Sequence, residues 1–559
     1  MEGSDPERAV PLLSGNSKPG RTSRGGALVV LLALAGSAAL VAGVVSWSTT
    51  FLPRRGEAQQ ADNAGDSDTE AAAWRATSSA WQPPLPTKRC PWVEETMSER
   101  EVHKTAEEVQ EQRATFSADA NTFYRATDSI FWRDFVEHGW GLFDLALLGI
   151  EAKTHDGMPQ ERTSTWTWTM GDQHLSNFGA WRNRHNEVNF GVNDFDESTI
   201  YDFQMDVWRL SVSIYNHAVT NGFNASAAAG VVRSFTDAYV HTIVSYIDNE
   251  DALLFELTPK TTKGTLLGSF LDQVQNGRGD KMLNKFTEVD NSVGERRFLK
   301  NDKTRLEVLP QEVEAAVRAE FSSTGYGATL QKIGWHIMGH YDPEYFRVLD
   351  VAARVNSGVG SMGVARYYVL LAGRERGEDS VEDEDQATPG GIILDVKEAP
   401  RCVGRHVLDH EDAAWYDATF RNEAARAVEA QRRLTSFTDP FTGWVVIDGV
   451  AHTVRQRSPW KTAFDLSKLK SHKDIHEFAA QVAVVTATSH TRGTVGKSPG
   501  QFKQVIASVL GGSRARKAWG DSVAMVARHY RQQVLLDFEC YRAYAQQNGS
   551  ATAEPGPER

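Results

Sequence analysis

Thr165 to Leu210 reads TWTWTMGDQHLSNFGAWRNRHNEVNFGVNDFDESTIYDFQMDVWRL, and how this stretch is read decides the fold. The threonine/tryptophan alternation from Thr165 to Thr169 puts both indoles on one face and the hydroxyls on the other, the period of a β-strand. A polar loop follows from Gly171 to Asn177. The alternation returns as Glu187, Asn189, Gly191 and Asn193 against Val188, Phe190 and Val192, a second strand that stops at Asp194. Two strands thus flank a loop carrying Asp172, His174 and Asn177, and they deliver Asp194-Phe195-Asp196 beside it. Strand ends hold carboxylates close together, and paired Asp and Asn oxygens suit a hard cation such as magnesium, which in turn points to phosphate. The competing reading is a polar hairpin whose Asp and Asn residues serve only the turn. The number of pieces argues against it.

The strings Gly171-Asp172-x-His174-x-x-Asn177, Asp194-Phe195-Asp196 and Asp202-x-x-x-Asp206 resemble the catalytic segment of the aminoglycoside phosphotransferase and choline kinase branch of the protein-kinase-like fold. The resemblance implies that Asp172 orients and deprotonates an acceptor hydroxyl, and that Asn177, Asp194 and Asp196 hold magnesium on the phosphates of ATP. It further implies that Asp206, with His174, supports the loop. Two departures stand out: Met170 occupies a position where that family often has His, and Asp196 replaces the glycine of protein kinases. The second is common in small-molecule kinases and argues against a protein substrate. Phe123-Tyr124-Arg125, the VKEA at Val396 and the RQRSPWK at Arg455 also resemble a largely bacterial family known only as a domain of unknown function, which implies no activity. That family carries FxRG where this chain has Ala126 after Arg125, so Arg125 reads as structural.

A second informative stretch begins at Ala353. Gly358-x-Gly360-Ser361-x-Gly363 is followed by the β-formers Tyr367 to Leu371, an acid-rich loop from Arg374 to Pro389, and GIILDVKEA from Gly391 to Ala399. A lone GxGxxG is weak and, before a helix, suggests a dinucleotide fold. Here β-formers lie on both sides. Strand, glycine loop, strand, turn and strand with Lys397 is the order of a kinase N-lobe, where glycines let backbone amides approach the phosphates and the lysine pairs with them. Ala413 to Leu434 is a strong helix former, and either Glu423 or Glu429 is the candidate carboxylate for that lysine. Trp444 to Ile447, the turn Asp448-Gly449 and Val450 to Arg455 form a hairpin signal, after which Arg455 to Trp460 falls at the hinge that meets the adenine. In kinases the glycine lobe precedes the catalytic loop, whereas here it follows. The expected architecture is therefore an α+β, protein-kinase-like two-lobe fold, circularly permuted, with an N-terminal transmembrane helix.

The 559 residues, 41% apolar and 24% charged, are ordinary globular composition with room for a large core. A net charge of −13 argues against a nucleic-acid partner. The three cysteines, Cys90, Cys402 and Cys540, have no metal-ligand spacing and read as making no disulfide framework. His336 and His340 lie four apart but lack the zincin glutamate between them. Residues 1–24 read as a cytosolic tail with Lys18, Arg21 and Arg24, and the uncharged run 25–52 as a transmembrane helix, with a cleaved signal as the alternative. A flexible tether spans 53–89, a helical lobe with the catalytic loop 90–345, the glycine and lysine β lobe 346–462, C-terminal helices 463–546 and a disordered tail 547–559. Within these bounds Ser98 with Glu101 suggests a capping box, and Asn224 and Asn548 head glycosylation triplets suited to a domain on the far side of the membrane. The leading function is a magnesium- and ATP-dependent phosphotransferase acting on a small hydroxyl-bearing acceptor. A nucleotidyl (AMP) transferase on the same fold and a membrane-tethered, nucleotide-binding pseudokinase are the alternatives; a metal-dependent phosphohydrolase lacks its histidine-rich ligand set.

Overall fold

A computed structural model describes residues 86–102, 104–137, 165–183, 185, 187–277, 279–322, 325–331, 346–355, 363–373, 391–494 and 502–549. The expected transmembrane run 25–52, the glycine-loop residues Gly358, Gly360 and Ser361, the acidic loop, and His336 with His340 lie outside them. No helix among the described residues is long and apolar enough to cross a membrane.

Four helices open the described chain: α1 (Pro86–Ser98), α2 (Ala106–Phe116), α3 (Ala120–Ala126) and α4 (Asp128–Trp132). The capping box lies later than Ser98 and Glu101 suggest. Thr105 is extended and accepts from Glu108 N while Glu108 accepts from Thr105 N; Ser98 is itself helical and makes no cap bond. Four short strands follow, β1 (Trp166–Thr169), β2 (Phe178–Arg182), β3 (Val188–Val192) and β4 (Thr199–Asp202). The two strands that flank the polar loop are not partners: β1 pairs with β4, and β3 pairs with β2. Phe178 to Arg182 is itself strand-forming and takes the edge of β3, so the loop 170–177 bridges two small sheets.

Next come α5 (Gln204–Thr220), α6 (Ala225–Ser245), α7 (Leu266–Gln275) and α8 (Gly279–Phe286), then the β5 (Thr287–Asp290) and β6 (Glu295–Phe298) hairpin. Asn224 is the N-cap of α6, accepting from Ala227 N. The chain continues through β7 (Leu306–Glu307), α9 (Gln311–Glu320), α10 (Tyr326–Gln331), β8 (Val348–Arg354), β9 (Arg366–Leu371) and β10 (Ile392–Glu398). The helix read over 413–434 is broken: after α11 (Val403–Val407), α12 (His410–Thr419) ends near Phe420, and Asn422 caps a new start for α13 (Glu423–Leu434). The last elements are β11 (Gly443–Ile447), β12 (Val450–Gln456), β13 (Thr462–Ala463), α14 (His472–Arg492), α15 (Phe502–Leu510) and α16 (Ser513–Gly549). The tail expected from 547 thus begins inside α16.

The fold is mixed α+β. Its main sheet is six-stranded and antiparallel in the order β11-β12-β10-β9-β8-β7. Asp448 and Gly449 both take positive φ, 49° and 82°, the geometry of a two-residue turn whose twist matches its strands. Leu394 and Val396 of β10 face one core with Val317, Phe321, Tyr326 and Leu330; Ile393 faces another with Leu283, Phe286 and Phe298. Each such side chain, fully removed from water, contributes about 1.5–3 kcal/mol. Residues from Leu283 to Leu330, which the sequence reading assigns to the helical lobe, therefore cover the sheet instead. The boundary moves because the sheet needs an apolar cover on both faces.

In the helical part, α6 packs against α14 and α16, and Phe203, Tyr239, Phe502 and Trp519 form an aromatic wedge among them. The end of α16 returns to α1, where Cys90 and Cys540, 450 residues apart, form a disulfide with Cα atoms at 5.1 Å. Next to it Arg89, buried, donates to Asp134 and Asp537 at 2.6 Å each. The cysteine reading is thus corrected: only the packing of the first described helix on the last brings the two thiols together.

Candidate functional site

The loop after β1 is held from below. Asp206, fully buried on the first turn of α5, accepts from Met170 N at 2.7 Å and Gly171 N at 3.0 Å, and lies 3.0 Å from His490 Nε2 of α14. His490 Nδ1 in turn meets the hydroxyl of Tyr239 at 2.7 Å. Gly171 sits at φ 77°, and a Cβ there would come within 2.0 Å of Glu197 O, so only glycine lets the loop approach the segment that follows Asp194. Gln173 Nε2 reaches Thr486 Oγ1 of α14 at 3.0 Å. Asn177 Nδ2 donates to Asp172 O at 2.7 Å, and Asn177 O accepts from Asn193 N at 3.1 Å, which ties the loop to Asp194.

Asp172 keeps 19% of its side chain exposed. Arg209, one turn beyond Asp206 on α5 and completely buried, donates Nε to Asp172 Oδ1 at 2.5 Å. The guanidinium lies over the ring of Tyr124 at 4.5 Å and donates to Tyr124 O, while the Tyr124 hydroxyl donates to Arg209 O. His174, buried, has Nε2 at 3.7 Å from Asp172 Oδ2. Burial pushes the Asp172 carboxyl up to about 7; Arg209 opposes the rise, and Asp128 and Asp194 add to it. Burial, with Asp128 nearby, pushes Glu197 up to about 8.

The roof is β10. Its alternation puts Ile393, Asp395 and Lys397 on one face, and Lys397 Nζ makes an ion pair with Asp196, 201 residues away in sequence. Burial works to raise Asp196, but Lys397, with Arg455 and Lys461, holds it well below the usual carboxylate range. Asp194 moves the other way, raised by burial and by Asp196. Burial works to lower Lys397, and the two aspartates reverse that, leaving it raised. Asp395 takes a bidentate pair from Arg366 of β9 at 2.6 and 2.5 Å, with Arg455 Nε at 3.6 Å. Lys461 donates to Asn193 O at 3.3 Å, and burial next to Arg455 lowers it to about 7. Arg366, Lys397 and Arg455 therefore gather three cationic side chains around Asp194, Asp196 and Asp395, with Lys461 beside them.

Neither expected lysine partner takes that role. Glu423 accepts from Arg426 Nε at 2.6 Å and from Tyr416, and Glu429 accepts from Arg433 one turn on. What α13 turns to the site is Arg426, fully buried, which donates to Asp196 O at 2.7 Å and to Ser198 O. Of the glycine loop, Gly363 alone is described, at φ 78° just before β9. Sequence alone gives no site role to Arg209, Tyr124, Arg366, Asp395, Lys461 or Arg426, although Tyr124 and Lys461 stand in the FYR and RQRSPWK strings. Two carried a signal: Arg209 lies three residues after Asp206 on one helix face, and Asp395 lies two before Lys397 on one strand face.

Beyond β12, residues 457–461 link the sheet to β13, which adds to β2. The lining of a pocket beside this linker includes Trp181, Arg182, Phe195, Asp439, Arg455 and Lys461. Among the described residues no three His, Cys, Asp or Glu side chains gather as a metal cage. Asn177, Asp194 and Asp196 instead offer an amide and two carboxylates, a hard-oxygen set suited to magnesium shared with phosphate oxygens. Neither the curated proteins nor the solved structures include a match to the chain. One family model matches residues 104–544, most of the chain, and the protein belongs to the family described as uncharacterized protein conserved in bacteria (DUF2252).

Proposed function

We propose that the protein is a magnesium- and ATP-dependent phosphotransferase acting on a small hydroxyl-bearing acceptor, on a circularly permuted kinase-like fold. The observation that carries this reading is the ion pair between Lys397 and Asp196, which sets the lysine strand over the Asp-Phe-Asp segment and its neighbour Asp172. The sheet order supports it: β8, β9 and β10 with Lys397, then α13, then the β11–β12 hairpin in the same antiparallel sheet, is the arrangement of a nucleotide-covering lobe. So does the gripping of the loop backbone by Asp206.

Each residue then has a task. Arg209 holds Asp172 Oδ1, leaving Oδ2 to accept the proton of an acceptor hydroxyl. Lys397, Arg455 and Lys461 offset the charge of the phosphate chain, and Arg366 pairs with both oxygens of Asp395, which Arg455 also approaches at 3.6 Å. Asn177, Asp194 and Asp196 would hold magnesium, which would supply charge neutralisation on the phosphates. Positioning and charge account for most of such catalysis. A thermal-shift titration with ATP, with and without magnesium, tests the reading. ATP at a hundredfold excess over its Kd stabilises by about 2.7 kcal/mol, and only the magnesium arm should show it. Equal or absent shifts in both arms sink the assignment.

A further inference from the structure

The antiparallel register of the main sheet sets three cations in a row. Lys397 of β10 lies opposite Arg366 of β9. The pairing of Ala352 with Tyr368 and of Ala353 with Tyr367 carries Arg354, the last residue of β8, opposite Arg366 on its other side. Residues directly opposite share a face, and the Arg354 guanidinium, 5.8 Å from the centre of the Tyr368 ring, stands on the face of Asp395 and Lys397. Neighbouring strands lie about 4.8 Å apart, so the row runs about 10 Å across the sheet, at right angles to its strands. The pairing of Lys397 with Asp196 turns this face towards the Asp194 to Asp196 segment.

Like charges directly opposite one another destabilise a sheet. Two of the three are answered, Arg366 by both oxygens of Asp395 and Lys397 by Asp196. Arg354 is not. Half-buried, it donates among the described residues to two carbonyls, Thr304 O at 2.8 Å and Arg305 O at 3.1 Å, and meets no carboxylate. Burial pushes its pKa down; Tyr368 opposes the fall, and Arg366, Arg305 and Arg457 add to it. A row of like charges held at a cost to stability fits a site whose ligand brings the missing anions, and guanidinium forks match phosphate oxygens two at a time.

We infer that a condensed phosphate chain lies across β8, β9 and β10, and that Arg354 binds its end remote from Lys397. Such a chain belongs to a nucleoside triphosphate or to an inorganic polyphosphate, which present the same oxygens. This rests on the proposed function and deepens it: the donor is recognised along its phosphates by three strands, and Arg354 is a binding residue outside the Asp172 machinery.

The test is titration calorimetry of the full-length protein with the magnesium salts of ATP, inorganic tripolyphosphate and pyrophosphate. Arg354→Gln should weaken ATP and tripolyphosphate alike by about tenfold, the worth of one charge-assisted hydrogen bond. Pyrophosphate, one phosphate shorter, should lose less than about threefold, because a charge out of contact is screened. Arg354→Lys keeps the charge and loses the fork, and repeats the test in milder form, with a loss of about threefold for tripolyphosphate and none for pyrophosphate. In wild type, tighter binding of ATP than of tripolyphosphate marks the nucleotide as the source of the chain, and the reverse marks the inorganic one. An unchanged tripolyphosphate affinity in both variants, a loss confined to ATP, or a loss shared equally by pyrophosphate overturns the inference and leaves the phosphotransferase reading standing. Binding of neither ATP nor tripolyphosphate by wild type overturns both.

Discussion

The loop 170–177 hangs from Asp206 by two backbone N–H bonds, whereas β10 reaches the same site through charge, Lys397 on Asp196 and Asp395 on Arg366. Backbone bonds to a fully buried carboxylate fix positions whatever the solution holds. The roof pair is less sealed, with 11% of the Lys397 and 27% of the Asp196 side chain exposed, so on the proposed function the nucleotide phosphates compete for the ammonium. The floor is thus a template and the roof an exchangeable charge contact. On the proposed chemistry this is a sensible division: acceptor geometry must be set in advance, while the donor's phosphates bring their own charge.

The sharpest way to break this contrast is at the floor. Asp172→Asn keeps the shape and removes the proton acceptor, so kcat should fall by about 10³-fold with the nucleotide Kd nearly unchanged. Steady-state kinetics beside calorimetry checks it, and equal losses in both would make Asp172 a structural residue. Next in size, Asp206→Ala strands Met170 N, Gly171 N and His490, and urea unfolding should show a loss of about 3 kcal/mol. A loss under about 1 kcal/mol would mean that the loop is not hung from this carboxylate.

The roof should yield less. A double-mutant cycle of Lys397→Met and Asp196→Asn should give a coupling of about 1–2 kcal/mol in unfolding free energy, shrinking when ATP and magnesium saturate the protein. Coupling that persists unchanged with nucleotide would make the pair a fixed strut. The smallest effect concerns pH. Burial raises Asp172 to about 7, and a base works only as the carboxylate, so kcat should climb about tenfold from pH 6 to pH 8 and then level off. A profile flat across that range would place the working group elsewhere.

How much was legible follows from how far apart the interacting residues lie. Gly171 to Asn177 and Asp194 to Asp196 announce themselves because a loop and a strand end collect their polar residues in one short segment. The strand face of Lys397 was readable from alternation, and the Asp448-Gly449 turn from its dipeptide. The lysine's partner was not: α13 carries two glutamates, and nothing local tells that Arg426 and Arg433 will take them while Asp196 takes Lys397. Nor does spacing reveal that Arg209 stacks on Tyr124, or that β1 pairs with β4 across the loop.

By itself, then, the sequence determined the strands with clear alternation, β1, β3, β9, β10, β11 and β12, the long helices after Asp206 and the polar loop, but not the short strands β2, β4 to β7 and β13. These depend on period, turn residues and caps within a few positions of one another. Tertiary structure alone decided which charges meet. Lys397 with Asp196, Arg209 with Asp172 and Cys90 with Cys540 are contacts between segments far apart in the chain, selected by which apolar faces bury one another. Ion pairing and a disulfide follow that burial and do not direct it, since a charge is indifferent to which opposite charge satisfies it until packing brings one within reach.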